Sequence, residues 1–183
     1  MSALFFDSSG LVKRYAQETG TSWIFSLVRR SANNRLYLAR ITGAEVVAAL
    51  TRRVRVGTLS QKSAAKAINR FEREFANRYL LVDVSAPIIK TAMTMAKNHT
   101  LRGYDAVQLA CALQANADRI AVGGTPLTFI SADIHLNSAA TAEGLAVDNP
   151  NNYQPFELRC LTRRFSDRHQ SETVGFARAD PGL

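Results

Sequence analysis

The sequence predicts an α/β fold of three layers, α/β/α, built on a central parallel sheet of four to five strands. Three observations predict it. Short apolar runs ("ALFF", "RLYLA", "LLVDV", "LTFIS") recur along the chain and are separated by stretches with helical periodicity, the pattern of a sheet covered on both faces. A length of 183 residues with 46% apolar and 21% charged residues suits one well-buried domain rather than a disordered chain. Acidic residues recur just past the predicted strand ends, where open parallel sheets bind ligands.

The elements follow in order. Leu4, Phe5 and Phe6 read as a buried strand, and Ser8, Ser9 and Gly10 break the run. Leu11, Val12 and Tyr15 then share one face of a helix over 9–16, and a second helix covers 22–30. "RLYLA" (35–39) is the second strand. A helix over 42–56 carries Val46, Val47, Leu50 and Val54 on one face, and the segment 59–78, with Ser60 as N-cap, is rich in helix formers. "LLVDV" (80–84) is the third strand and 86–98 another helix. The helix over 104–115 is apolar at Val107, Leu109, Ala110 and Leu113. "LTFIS" (127–131) is the fourth strand, 134–143 a helix, and "LAV" (145–147) a short edge strand. Asn and Pro accumulate in "DNPNNYQP" (148–155). The domain is therefore expected to span 1–150, with 151–183 a C-terminal extension that is disordered or ordered only on a partner.

The net charge of +8 belongs to the body. Residues 1–150 hold 18 Lys and Arg against 11 Asp and Glu, which is +7. A basic surface favours polyanions, nucleic acid first, although solubility alone also accounts for such a charge. No stretch approaches the ~20 apolar residues of a membrane helix, and Asp7 cuts the N-terminal apolar run short without a basic segment before it. The expectation is a cytoplasmic protein with no membrane partner. Cys111 and Cys160 lie far apart, which agrees with a reducing compartment, and Cys111 reads as a small core residue.

Four acids fall at or near helix starts: Asp7, Glu45, Asp105 and Asp133. Each has a purely structural explanation. "TGAE" (42–45) matches a capping box in which Glu45 reaches back to Thr42. Asp105 and Asp133 suit helix N-termini, at about 0.3–1 kcal/mol each. Asp7 is harder to explain this way, because Ser8 or Ser9 is available to cap the first helix. Gathered in one place, four carboxylates repel unless protonated or neutralised, and a hard divalent cation such as Mg²⁺ relieves that repulsion. His99, His135 and His169 lack close ligand spacing.

"DSSGLVKRY", "ITGAEVVAAL", "YDAVQLACAL" and "FISADIHLNSAATAEGLAVDNP" resemble, in order, the motifs of the PIN domain, and especially of VapC-type toxin ribonucleases. The resemblance covers roughly residues 3–150. It implies a PIN-like three-layer fold and a metal-dependent endoribonuclease acting on RNA with Mg²⁺ or Mn²⁺. The acidic quartet maps onto Asp7, Glu45, Asp105 and Asp133, and the hydroxyl positions onto Ser9 and Ser131. Asp7 and Asp105 are expected as direct metal ligands, with Glu45 and Asp133 acting through water or on a second ion. Ser9 and Ser131 would orient a carboxylate or a water, and Ser131 has helix capping as a rival role. Ser8 stands where many relatives have Thr and Gly10 where many have Ala, neither of which is expected to affect the chemistry. Lys13, Arg14, Arg40, Arg52, Arg53, Arg55 and Arg102 flank the motif helices and are the candidates for RNA contact, a solvated helix face being the alternative for each.

The resemblance further implies a homodimer and a cognate antitoxin that wraps an apolar groove, with the helices 22–30 and 44–56 as candidates for it. The other readings are a non-catalytic PIN-like domain that binds RNA or protein, and a housekeeping RNA-processing nuclease. A phosphatase with Asp7 as nucleophile wants a second acid where Ser9 stands. A phosphoacceptor receiver domain wants paired acids after the first strand, which this chain lacks there.

Overall fold

The computed structural model of the chain describes residues 2–153. Five strands form one parallel sheet: β1 (Ala3–Phe6), β2 (Arg35–Ala39), β3 (Leu80–Val82), β4 (Leu127–Ile130) and β5 (Ala146–Asp148). Their spatial order is β3-β2-β1-β4-β5. Ala3 pairs with Arg35 of β2 and Leu127 of β4, and Phe6 pairs with Ile130 at the other end. The predicted parallel sheet is thus present with five strands.

Alternation along β1 builds the two flanking layers, because successive side chains leave a strand on opposite faces. Ala3 and Phe5 point into a core shared with α5 (Ala86–His99), α6 (Gly103–Ala121) and α7 (Ile134–Ala142). Leu4 and Phe6 point the other way, among side chains of α1 (Ser8–Leu11), α2 (Thr21–Val28), α3 (Thr42–Arg55) and α4 (Gln61–Asn77). Phe5 stacks on Phe129 with ring centroids 5.7 Å apart, joining the central strands within the first of these cores.

Two helices depart from expectation. The helix expected over 9–16 is α1 followed by a 3₁₀ turn at Val12–Arg14. α6 runs to Ala121 rather than 115, because the polar residues past Ala115 continue its exposed face; Asn116 on that extra turn accepts from the Leu127 N–H at 3.0 Å. Residues 151–153, assigned to the extension from sequence, pack on the body: Tyr153 stacks on Trp23 at 4.0 Å, and Asn151 accepts from Lys13. The rest of the expected extension lies outside the described residues, as do Cys160 and His169. Cys111 is buried, as expected.

Gly10 lets α1 lie close against β4. A Cβ at this position would stand 2.6 Å from the Ile130 carbonyl oxygen, and that neighbour is backbone. Within the α1–α4 layer, Glu74 of α4 gathers a polar network: Arg14 donates to both its oxygens at 2.7 Å, Tyr15 donates at 2.6 Å, and Tyr79 reaches Tyr15 at 2.7 Å. Burial alone would raise the Glu74 pKa. The Arg14 bond and the Tyr15 hydroxyl outweigh it and hold the carboxyl at about 2.

Two outcomes follow for stability. Gly10→Ala should cost about 1–3 kcal/mol in urea unfolding, because the ring of contacts at Ile130 must move. Since Glu74 is depressed on folding, its contribution is complete above an ordinary carboxyl value of about 4.5 and is lost as pH falls towards 2. Glu74→Gln should therefore lower stability by about 3 kcal/mol at pH 7, leaving the Arg14 guanidinium unpaired, and by much less at pH 3.

Candidate active site

The site lies beyond the carboxyl ends of β1 and β4, neighbours in the sheet. The chain leaves β1 at Asp7, whose N–H donates to the Ile130 carbonyl at 3.1 Å. Asp7 itself caps α1, accepting from the Gly10 N–H at 2.8 Å, so the expected role of Ser8 or Ser9 as cap is corrected. Ser9 instead donates to the carboxylate, lying 2.9 and 3.0 Å from its two oxygens. The Ser9 Oγ also accepts from the Ala132 N–H at 2.9 Å and sits 3.3 Å from the Ser131 Oγ. Ser131 in turn accepts from the Asp133 N–H at 3.0 Å. A hydrogen-bond chain thus runs from Asp7 through the two hydroxyls to the start of α7, where Asp133 caps the helix by accepting from Leu136 at 2.9 Å.

Burial pushes the Asp7 carboxyl up to about 7, against the bonds from Gly10, Ser9 and Ser131 that favour the charge. Among the described residues no cation pairs with it. Lys13, the nearest candidate in sequence, spends its ammonium on Glu18, the Thr19 carbonyl and Asn151 at 2.8–3.0 Å.

Glu45 does not form the expected capping box. Its helix starts at Thr42, with Ile41 in the cap position, so Thr42 is already inside. The side chain meets Gln108 instead: the buried Gln108 amide donates to both Thr42 Oγ1, at 2.8 Å, and Glu45 Oε2. Burial and the charge of Asp105 raise the Glu45 pKa, opposed by bonds from Gln108 and Ser8. Asp105, in the first turn of α6, makes no side-chain hydrogen bond among the described residues. Burial and Asp133 raise its pKa, opposed by Arg102 and His135.

Glu45, Asp105 and Asp133 line a single cleft of about 530 Å³, together with Ser8, Ser9, Val12, Ala48, Ala49, Arg52, Arg102 and Tyr104. Asp7 is not on the lining and is joined to it through Ser9. Burial raises the Asp7, Glu45 and Asp105 carboxyls, with Asp105 adding to the rise at Glu45 and Asp133 to that at Asp105; such a place is short of positive charge, and an all-oxygen donor set fits Mg²⁺ or Mn²⁺. Among the described residues no three Asp, Glu, His or Cys side chains stand close enough to cage an ion.

The basic candidates divide. Lys13 and Arg14 are interior, 4% and 5% exposed, and serve Glu18 and Glu74; they are corrected from surface contacts to structural residues. Arg53 pairs with Glu18, and Arg40 with Asp83 on the surface. Arg52, Arg55 and Arg102 are exposed, and Arg52 and Arg102 face the cleft. His99 pairs with Glu143 at 2.6 Å, and His135 lies near Asp105. Gln108 and Tyr104 escaped the sequence reading. Gln108 follows Asp105 by three residues, one helical turn, and that spacing was the available signal.

The sequence profile of the PIN domain matches residues 4–140. The chain is 33% identical over 147 residues to a Mycobacterium tuberculosis protein named Ribonuclease VapC45, covering 80% of this chain and 95% of that one. Among solved structures it resembles FitAcB from Neisseria gonorrhoeae (23% identity, TM-score 0.53, 80% of this chain and 97% of that one). It also resembles a toxin-antitoxin complex from Klebsiella pneumoniae (16% identity, TM-score 0.55, 84% and 100%). These two likenesses concern the fold.

Because the Asp7 pKa is raised on folding, ion-free stability should decline as pH climbs from about 4 through about 7. Asp7→Asn should flatten that decline and raise the ion-free melting temperature at pH 8. Adding Mn²⁺ at pH 8 should raise the melting temperature of the native chain and leave the variant unchanged; thermal melts across pH read both effects.

Proposed function

The chain belongs to the PIN-domain family, and from that premise we propose that it is a divalent-metal-dependent endoribonuclease and the toxin half of a toxin–antitoxin pair. One observation carries the reading: three carboxyl side chains, Glu45, Asp105 and Asp133, line one cleft whose Ser9 bonds the buried Asp7, and among the described residues Asp7 has no cation partner.

Asp7 and Asp105 are the direct ligands in this reading, and Glu45 and Asp133 act through water or on a second ion. The chemistry an ion supplies at such a site is a lowered pKa for attacking water and relief of the charge that builds on the phosphate. The protein's part is positional. Ser9 holds the Asp7 carboxylate from both oxygens, Gln108 aims Glu45, and Ser131 ties the α7 start to the same hydrogen-bond chain. No nucleophilic side chain is required. Arg52 and Arg102 draw the RNA backbone to the cleft, with Arg55 further along α3.

An acidic cleft also suits a basic side chain from a protein inhibitor, and the solved fold relative from Klebsiella pneumoniae is a toxin-antitoxin complex. An antitoxin partner, a homodimeric toxin and a cytoplasmic setting complete the proposal. Among the described residues no helix is long and apolar enough to cross a membrane.

Cleavage of total cellular RNA, with Mg²⁺ and with chelator, tests this. The native chain should cut only with the ion. Asp7→Asn and Asp105→Asn should fall by about 100-fold or more while folding cooperatively, and Gln108→Ala by about 10–100-fold. Equal cleavage by the native chain and Asp7→Asn would remove the metal-site assignment.

A further inference from the structure

We propose, resting on the nuclease reading above, that Tyr104 is a stacking platform for one unpaired base of the RNA, set beside the phosphate that Asp105 helps to process. The chain has five tyrosines. Tyr15 and Tyr79 are tied into the Glu74 network, Tyr37 receives Arg119, and Tyr153 stacks on Trp23 and bonds Asp148. Tyr104 alone has neither a hydrogen-bond partner nor an aromatic neighbour among the described residues, and it is 62% exposed.

Its place is what gives the exposure meaning. Tyr104 lines the cleft of Glu45, Asp105 and Asp133 and is covalently adjacent to Asp105. It stands on the first turn of α6, a helix of 19 residues whose inner face is packed in the core, so the ring is carried by a rigid element. Arg52 and Arg102 line the same cleft, and among the described residues neither has an acceptor for its guanidinium. An aromatic ring sharing one cleft with two exposed guanidiniums matches a nucleotide strand, in which π-faced bases alternate with anionic phosphates. The aliphatic residues on the lining are Val12, Ala48 and Ala49, and the arginines beside the ring favour a phosphate-bearing strand over an uncharged apolar partner. Only a base freed from its own stack can use the ring, so the substrate is single-stranded at the cut.

The test uses the full chain with single-stranded RNA oligonucleotides carrying 2-aminopurine at successive positions, and a duplex of the same sequence. Binding is measured in the Asp7→Asn background and turnover in the otherwise native chain. Tyr104→Ala should weaken single-strand binding about tenfold, raise KM more than it lowers kcat, and abolish a fluorescence change seen at one base position. Tyr104→Phe and Tyr104→Trp should stay within about twofold of the native residue. All three variants should melt as the parent does, since the ring is exposed. Tyr104→Ala binding as well as the parent would overturn the platform, as would Tyr104→Phe failing like Ala, or loss of a bound protein with RNA affinity intact. If the native chain neither binds nor cuts RNA, the nuclease reading falls and the platform with it; if it cuts and Tyr104→Ala is indistinguishable, only the platform falls.

Discussion

A carboxylate buried at the end of the central strand is the constraint on which the rest of the site depends. Asp7 is 3% exposed, and its closest hydrogen-bond donors are Gly10 and Ser9, both within three residues. Those bonds hold α1 tight against β4, at a separation that Gly10 permits because it has no Cβ. They also commit Ser9, whose oxygen receives the Ala132 N–H and thereby fastens the loop after β4. The local turn after β1, the packing of α1 and the approach of α7 are one arrangement, with the carboxylate at its centre. Burial raises its pKa because the charged form is kept from water.

The same scarcity of positive charge is maintained around it, although the chain is basic. Lys13 and Arg14 follow the acid in sequence, yet Glu18 and Glu74 capture them before they can neutralise it. Burial pushes the Lys13 ammonium below its ordinary value, helped by Arg53 and opposed by Asp7. What remains open to the cleft is Arg52 and Arg102, on its lining beside three acids. An acidic interior flanked by exposed guanidiniums keeps the two signs of charge apart, which is the arrangement the proposed nuclease chemistry requires.

The sorting of residues between structure and site explains where sequence reasoning succeeded. Strands β1, β2 and β4 were legible because burial on both faces leaves an uninterrupted apolar run, and the parallel topology followed from the helices between them. The four acids were legible because each sits at or near a helix start: Asp7 and Asp133 cap helices after strands, and Glu45 and Asp105 lie in the first turns of α3 and α6. Helix lengths were less so. α6 continues six residues past its expected end because an exposed face carries no apolar period to mark it. The "TGAE" box misled, since local cap chemistry lost to Gln108, a partner 63 residues away. Tertiary contact overrides a local hydrogen bond when it also satisfies a buried donor.

By itself the sequence determined the three-layer α/β architecture, the order of its elements, and the positions at which acids leave strands, because periodicity and turn chemistry are local properties. Only the tertiary structure decided which basic residues are spent inside and which face the cleft. It also decided that Asp7 rather than a serine caps the first helix, and that Gln108 rather than Thr42 holds Glu45. Those outcomes depend on burial and on which partners arrive from distant segments, and pairing energies between groups tens of residues apart leave no periodic trace in the chain.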